Sequence, residues 1–185
     1  MKWFPVLCMS LLLLLPGTAG AVEVAGVNLA PQVEIAGQNL QLNGYGIRKK
    51  LFFKIYIGSL YTTGKVSSTE AVLAAPGPKL IRMDFLYGKV EKEKITEAFA
   101  EGFKKNAPSV ATSSAAQTFL GWFRNDFVKG DQVDLQVLPD GTVNASQNGK
   151  PLGSLNDPAL GQGILLIYLG KEPADDDMKA GMLGG

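Results

Sequence analysis

The stretch from Asn43 to Tyr61, NGYGIRKKLFFKIYIGSLY, limits the possible folds more than any other part of the chain. It opens on a Gly-Tyr-Gly turn and then reads as one long strand. Phe53, Ile55, Ile57 and Tyr61 are the β-branched and aromatic types that suit a pleated, half-buried surface. Alternate side chains of a strand face opposite ways. One face therefore carries Leu51, Phe53, Ile55, Ile57, Ser59 and Tyr61, a set that belongs against a core. The other carries Arg48, Lys50, Phe52, Lys54, Tyr56, Gly58 and Leu60, a mixture of cations, aromatics and a phenol that suits solvent or a ligand cavity. The remaining elements are expected to wrap this strand.

Upstream, Val33 and Ile35, then Leu40 and Leu42, alternate around a turn at Gly37-Gln38, which predicts short strands feeding the long one. Downstream, Ser67 can cap a short helix over SSTEAVLAA with Glu70 as its capping-box partner. Pro76-Gly77-Pro78 breaks the chain, and Leu80–Tyr87 predicts a strand beside the long one. Ile95, Ala98, Phe99, Gly102 and Phe103 make one apolar helical stripe that ends at Asn106-Ala107-Pro108. Ala116, Phe119, Leu120 and Phe123 repeat that spacing in a second helix. Val133, Leu135 and Val137 alternate into a hairpin turn at Pro139-Asp140-Gly141, and Asn148-Gly149 marks the next turn. Asp157 and Pro158 start a helix, as N-cap and first helical residue, that runs to Gly170. ADDDMKAGMLGG then reads as a short polar helix or a frayed tail. Strands flanking a central helical block predict an α+β fold, an antiparallel sheet with helices packed on one face.

The N-terminus carries a separate message. Lys2 precedes WFPVLCMSLLLLLPGTAGA, an apolar run closed by the small residues Ala19-Gly20-Ala21. That is the pattern of a secretory signal peptide, residues 1–21, cleaved before Val22, and it predicts a periplasmic or otherwise secreted single domain over residues 22–185. The run is too short and too broken by Pro16 and Gly17 to span a bilayer. One of the 18 basic residues, Lys2, leaves with it, so basic and acidic side chains then balance at 17 each. A neutral protein has no general electrostatic attraction for nucleic acid or for an anionic membrane. The one cysteine, Cys8, also leaves, and the chain has no histidine. Thiolate nucleophiles, Ser-His-Asp triads and imidazole or thiolate metal sites are therefore excluded, and neither a metal nor a cofactor is expected.

The Gly-x-Gly-x-Arg turn followed by Lys-x-Tyr and Leu-Tyr resembles the chalcone-isomerase-like fold, in particular its bacterial, secreted branch. Matching pieces follow in the family's order, IRMDFLYGKVEKEKITEAFAEGF, AAQTFLGWFRNDFVKGDQVDLQVLPDGTV and GILLIYLGKEP, so the likeness runs from about Gly37 to Gly170. It implies an open-faced sandwich of sheet and helices. In fatty-acid-binding relatives, an arginine in this turn and a tyrosine of the following strand hold the ligand's carboxylate. The matching residues are Arg48 with Tyr61 or Tyr56. A guanidinium suits that task because it is always charged and binds carboxylate in bidentate fashion. On a regular strand Arg48 and Tyr56 share a face but stand roughly 26 Å apart. Tyr61 has the wrong parity unless a bulge lies near Gly58. A purely structural Arg48, paired or capping the turn, stands beside the ligand reading, and Tyr56 and Tyr61 also fit a core.

The resemblance carries its own test of activity. True chalcone isomerases place a tyrosine and an asparagine on the first long helix, and those positions fall here at Glu91 and Ala98. The strand threonine falls at Tyr56 and the late-helix hydroxyl near Ile167, leaving Arg48 alone. One arginine lacks the positioning that supplies most of this catalysis, so no catalytic residue is assigned. Three functions fit. The first is a secreted, non-catalytic binding protein for a fatty acid or other small amphipathic carboxylate held by Arg48. The second is an envelope interaction protein without a small ligand, and the third an enzyme using Arg48 with a tyrosine or Glu91.

Overall fold

The computed structural model describes residues 20–185, so the expected signal peptide lies almost wholly outside the described residues. Seven strands form one antiparallel sheet, in the order β11-β10-β9-β6-β5-β4-β3. They are β3 (Gln32–Ile35), β4 (Gln38–Lys50), β5 (Phe53–Thr62), β6 (Lys79–Phe85), β9 (Gln132–Val137), β10 (Thr142–Gln147) and β11 (Lys150–Asn156). Two small two-stranded sheets, β1 (Val22–Val24) with β2 (Val27–Leu29) and β7 (Lys89–Val90) with β8 (Phe127–Val128), stand apart from it. Helices α2 (Lys92–Asn106), α3 (Pro108–Ala111), α4 (Ser114–Leu120) and α5 (Pro158–Leu169) share one core with the sheet, as do the shorter α1 (Thr69–Ala74) and α6 (Asp176–Met182). The α+β sandwich expected from element order is the fold observed.

Most local signals act as their chemistry dictates. Asp157 caps α5 by accepting from the Leu160 amide at 2.8 Å, with Pro158 in the first turn. Ser113 and Ser68 cap α4 and α1 in the same way, so the cap of α1 falls one residue beyond Ser67. The α2 stripe is buried at Ile95, Phe99, Gly102 and Phe103, and Phe99 and Phe103 meet Phe119 at ring separations of 5.4 and 5.9 Å. Asn148 and Gly149 both adopt positive φ, as the tight turn between β10 and β11 requires.

Three expectations are overturned. The Asn43–Tyr61 stretch is not one strand but the hairpin β4–β5, which turns at Leu51-Phe52. Gly44-Tyr45-Gly46 is no turn and runs within β4. Leu51, expected in the core, is 83% exposed, and from Tyr56 to Thr62 every residue of β5 is buried regardless of parity, because this central strand is covered on both faces. Of the two forms open to the C-terminal segment, it takes the short helix. Helix α6 lies along β4, its Met178 and Met182 fully buried, and the bare backbones of Gly44 and Gly46 let it approach.

The sheet face opposite the main core carries a polar seam. Arg82 of β6 donates twice to Asp134 of β9, at 2.7 and 2.8 Å, and Gln132 donates to Asp84 at 2.9 Å. Asp84 is 6% exposed and its second carboxylate oxygen has no hydrogen-bond partner. Burial pushes its pKa above the ordinary carboxylate value, with Gln132 and Arg82 pulling it partly back. A carboxyl whose pKa is raised on folding stabilises the fold when protonated, and that stability is lost as pH rises through the folded-state pKa. Asp84→Asn is therefore expected to raise stability at pH 7 by about 1 kcal/mol. The difference from the parent should close as pH falls below the ordinary carboxylate range, near ~4. Urea unfolding of both proteins across pH checks this; a variant less stable than the parent at pH 7 contradicts it.

Candidate functional site

The hairpin decides the site. Because β4 and β5 are antiparallel partners, Arg48 lies directly opposite Tyr56, and the strand length that separated them in sequence is folded away. The register shifts twice, at Ile55 of β5 between the Arg48 and Lys49 pairs and at Asn43 of β4 between the Leu42 and Gly44 pairs, and neither irregularity lies at Gly58. Arg48 Nη1 donates to the Tyr56 hydroxyl at 3.5 Å, and its guanidinium carbon stands 5.7 Å from the Tyr56 ring centroid. Tyr56 is buried against Phe85 at a ring separation of 5.5 Å.

Tyr61 sits elsewhere. Its parity on β5 turns it to the other face, into an apolar cluster with Ile35, Leu40 and Leu80. Its hydroxyl donates to the Ala30 carbonyl at 3.0 Å, and Arg82 lies over its ring at 5.5 Å. Arg48 and Tyr56 are brought together; Tyr61 is not brought to them.

A residue that sequence reasoning passed over completes the group. Tyr168 of α5 is fully buried and donates to the Met83 sulfur at 3.1 Å. Burial pushes its phenol well above the ordinary value, and neighbouring Tyr56 adds to the rise. Burial likewise raises Tyr56, with the Arg48 charge pulling it partly back, while Arg48 is raised chiefly by Tyr56. Burial thus keeps both phenols neutral near the Arg48 cation. The signal for Tyr168 was a single phenol in an otherwise apolar helix, GILLIYLG.

Arg48 opens into a pocket of about 320 Å³ between the hairpin and the start of α2. Ile55, Val90 and Ile95 supply apolar wall, Tyr87 contributes its ring, and Lys50, Lys89 and Lys94 bring further positive charge. Lys89 is engaged by Asp126 at 2.9 Å and Lys94 by Glu97 at 3.5 Å, both on the surface. Glu91 lines the same pocket from the position before α2, and its side chain makes no cap bond. Ala98 is half-buried further along α2. Arg48 has no carboxylate within ion-pair distance among the described residues. A half-buried cation on the wall of a mostly apolar cleft, with a phenol beside it, can hold an anion whose remainder is apolar. Among the described residues no group of three or more His, Cys, Asp or Glu side chains could hold a metal ion.

Asp175 secures this end of β4. One carboxylate oxygen caps α6 through the Met178 amide at 2.9 Å, and the other accepts from the Lys49 amide, next to Arg48, at 3.1 Å. Asp175→Ala removes both bonds and is expected to cost about 1–2 kcal/mol. Thermal unfolding measures this, and an unchanged midpoint would show that α6 is held by its methionines alone.

An antiparallel sheet covered by helices, with Arg48 lining a cleft between a hairpin and the first long helix, defines an α+β sandwich. The chain belongs to the chalcone isomerase-like family, whose model matches residues 21–184. It is 23% identical over 174 residues to fatty-acid-binding protein 1 of Arabidopsis thaliana, an alignment covering 87% of this chain and 62% of that protein's length. The fold matches the crystal structure of an Arabidopsis thaliana fatty-acid-binding protein with a TM-score of 0.68, at 20% identity, over 86% of this chain and 92% of that one.

Proposed function

We propose that this protein is a non-catalytic carrier of a fatty acid or similar long-chain carboxylate, with the carboxylate on Arg48 and the chain along Ile55, Val90 and Ile95. The observation that carries the reading is the Arg48 guanidinium, which lines a mostly apolar cleft with a phenol beside it and no carboxylate within ion-pair distance among the described residues. The similarity to a fatty-acid-binding protein supports it. At about 320 Å³ the cleft lies at the small end of ligand pockets (~300–1,000 Å³), so a long chain extends beyond it past Tyr87. The reading includes export of the protein through the signal peptide, with a mature N-terminus at Val22 in a bacterial envelope.

Native mass spectrometry of the protein purified without detergent, followed by organic extraction, tests both parts. The expected result is an intact mass starting at Val22 and a lipid or fatty-acid adduct, carried from the cell or taken up from added oleate. A protein that stays empty in the presence of oleate would overturn the carrier reading.

A further inference from the structure

The tip of the β4–β5 hairpin has a composition that folding does not require. Leu51 and Phe52 are 83% and 81% exposed, the largest exposures among the described large hydrophobic residues, and Phe53 beside them is 43% exposed. Leu51 also adopts a φ of +56°, a conformation that a tight hairpin normally gives to glycine or asparagine. The chain thus keeps two large apolar side chains in water, one of them on a strained backbone. Lys49, Lys50 and Lys54 flank them. Lys49 faces Asp177 at 3.8 Å, whereas Lys50 and Lys54 make no ion pair among the described residues.

The tip is continuous with the pocket. The Phe52 and Phe53 rings are 4.5 Å apart, Phe53 meets Tyr87 edge-on at 5.4 Å, and Tyr87 and Lys50 line the same cleft as Arg48. An aromatic path therefore leads from the outermost point of the hairpin to the mouth of the site.

We propose that this tip docks the protein on an anionic lipid surface, with Leu51 and Phe52 inserted among the acyl chains and Lys50 and Lys54 against the headgroups. Exposed apolar side chains ringed by lysine match a bilayer interface in both chemistry and charge, and each of the two signals alone binds weakly. Docked this way, the pocket mouth opens toward the source of the ligand proposed above. In that last respect the inference rests on the carrier reading, whereas the docking itself does not.

The test is flotation of the protein with phosphatidylcholine/phosphatidylglycerol vesicles, comparing the parent with Leu51→Ser/Phe52→Ser and with Lys54→Glu, all sharing one N-terminus. Binding is expected to fall at least tenfold in the double variant and severalfold in Lys54→Glu, with unfolding midpoints unchanged because these side chains lie outside the core. Oleate binding without vesicles, measured in parallel, should be the same in all three. Vesicle binding without oleate binding supports docking and removes the carrier reading; oleate binding without vesicle binding does the reverse. A double variant that floats like the parent overturns the docking, as does a tip-dependent dimer of a parent that ignores vesicles.

Discussion

Replacing Arg48 with alanine is expected to weaken oleate binding by about 2–3 kcal/mol, ~30- to 150-fold in Kd, and to leave the fold in place. The loss follows from the chemistry of the site. A carboxylate in a mostly apolar cleft needs a charge-assisted partner, and Arg48 is the guanidinium that the cleft presents. The fold survives because Arg48 has no ion-pair partner among the described residues, so its removal strands no buried carboxylate. It leaves the Tyr56 hydroxyl without one long hydrogen bond, a change within about 1 kcal/mol. Arg48→Lys keeps the charge and loses the fork, so it should recover only part of the affinity. Titration calorimetry and thermal unfolding of the three proteins decide the matter. Unchanged affinity in a folded Arg48→Ala protein would return Arg48 to a structural role.

A second large effect is expected from a single methyl group at Gly44. An added Cβ there would collide with the carbonyl oxygen of Gly181 and come within 2.8 Å of that of Met182, both backbone atoms that cannot rotate aside. Gly46→Ala meets the same obstacle at the Cα of Met178. Either substitution must lift α6 from β4 and expose Met178 and Met182, whose burial is worth about 1.5–3 kcal/mol each. A loss of roughly 3–6 kcal/mol should lower the unfolding midpoint by about 10 °C or more in a chain of this size. Gly64→Ala is the control, since no heavy atom lies within 4 Å of its added methyl. A Gly44→Ala protein that melts with this control would mean that α6 is not seated on the glycines.

The same glycines show where the sequence misleads. Gly44-Tyr45-Gly46 has turn composition, but its glycines serve a helix more than a hundred residues away, and nothing local records that. The true turn, Leu51-Phe52, carries none of the residues that mark turns, so the hairpin read as one strand and Arg48 was set far from Tyr56. The pairing of these two residues was legible only in their face, which they share. Tyr61 was misplaced beside them for lack of the register. By contrast, the α2 stripe, the Asp157 cap, the Asn148-Gly149 turn and the β9–β10 hairpin were readable because each depends on neighbours in sequence. Met178 and Met182 were lost among the aspartates of a polar-looking tail, where two buried positions in seven residues make too faint a pattern.

Helices α2, α3 and α4 intervene between β6 and β9, so the large sheet consists of two meanders, β3-β4-β5-β6 and β9-β10-β11, sewn together along one line. Within each meander a strand pairs with the next in sequence, through short turns except between β5 and β6, where α1 intervenes, and both can assemble early. Joining them requires a long loop to close first, which makes β6–β9 pairing the expected slow step. The side chains at that line determine its alignment. Arg82 against Asp134 and Gln132 against Asp84 match in a single register, and a slip of one residue would set Arg82 opposite Val133 or Leu135. The ion pair acts as an alignment key, and weakening it should show less in how firmly the finished protein holds together than in how often the two halves close correctly at the first attempt.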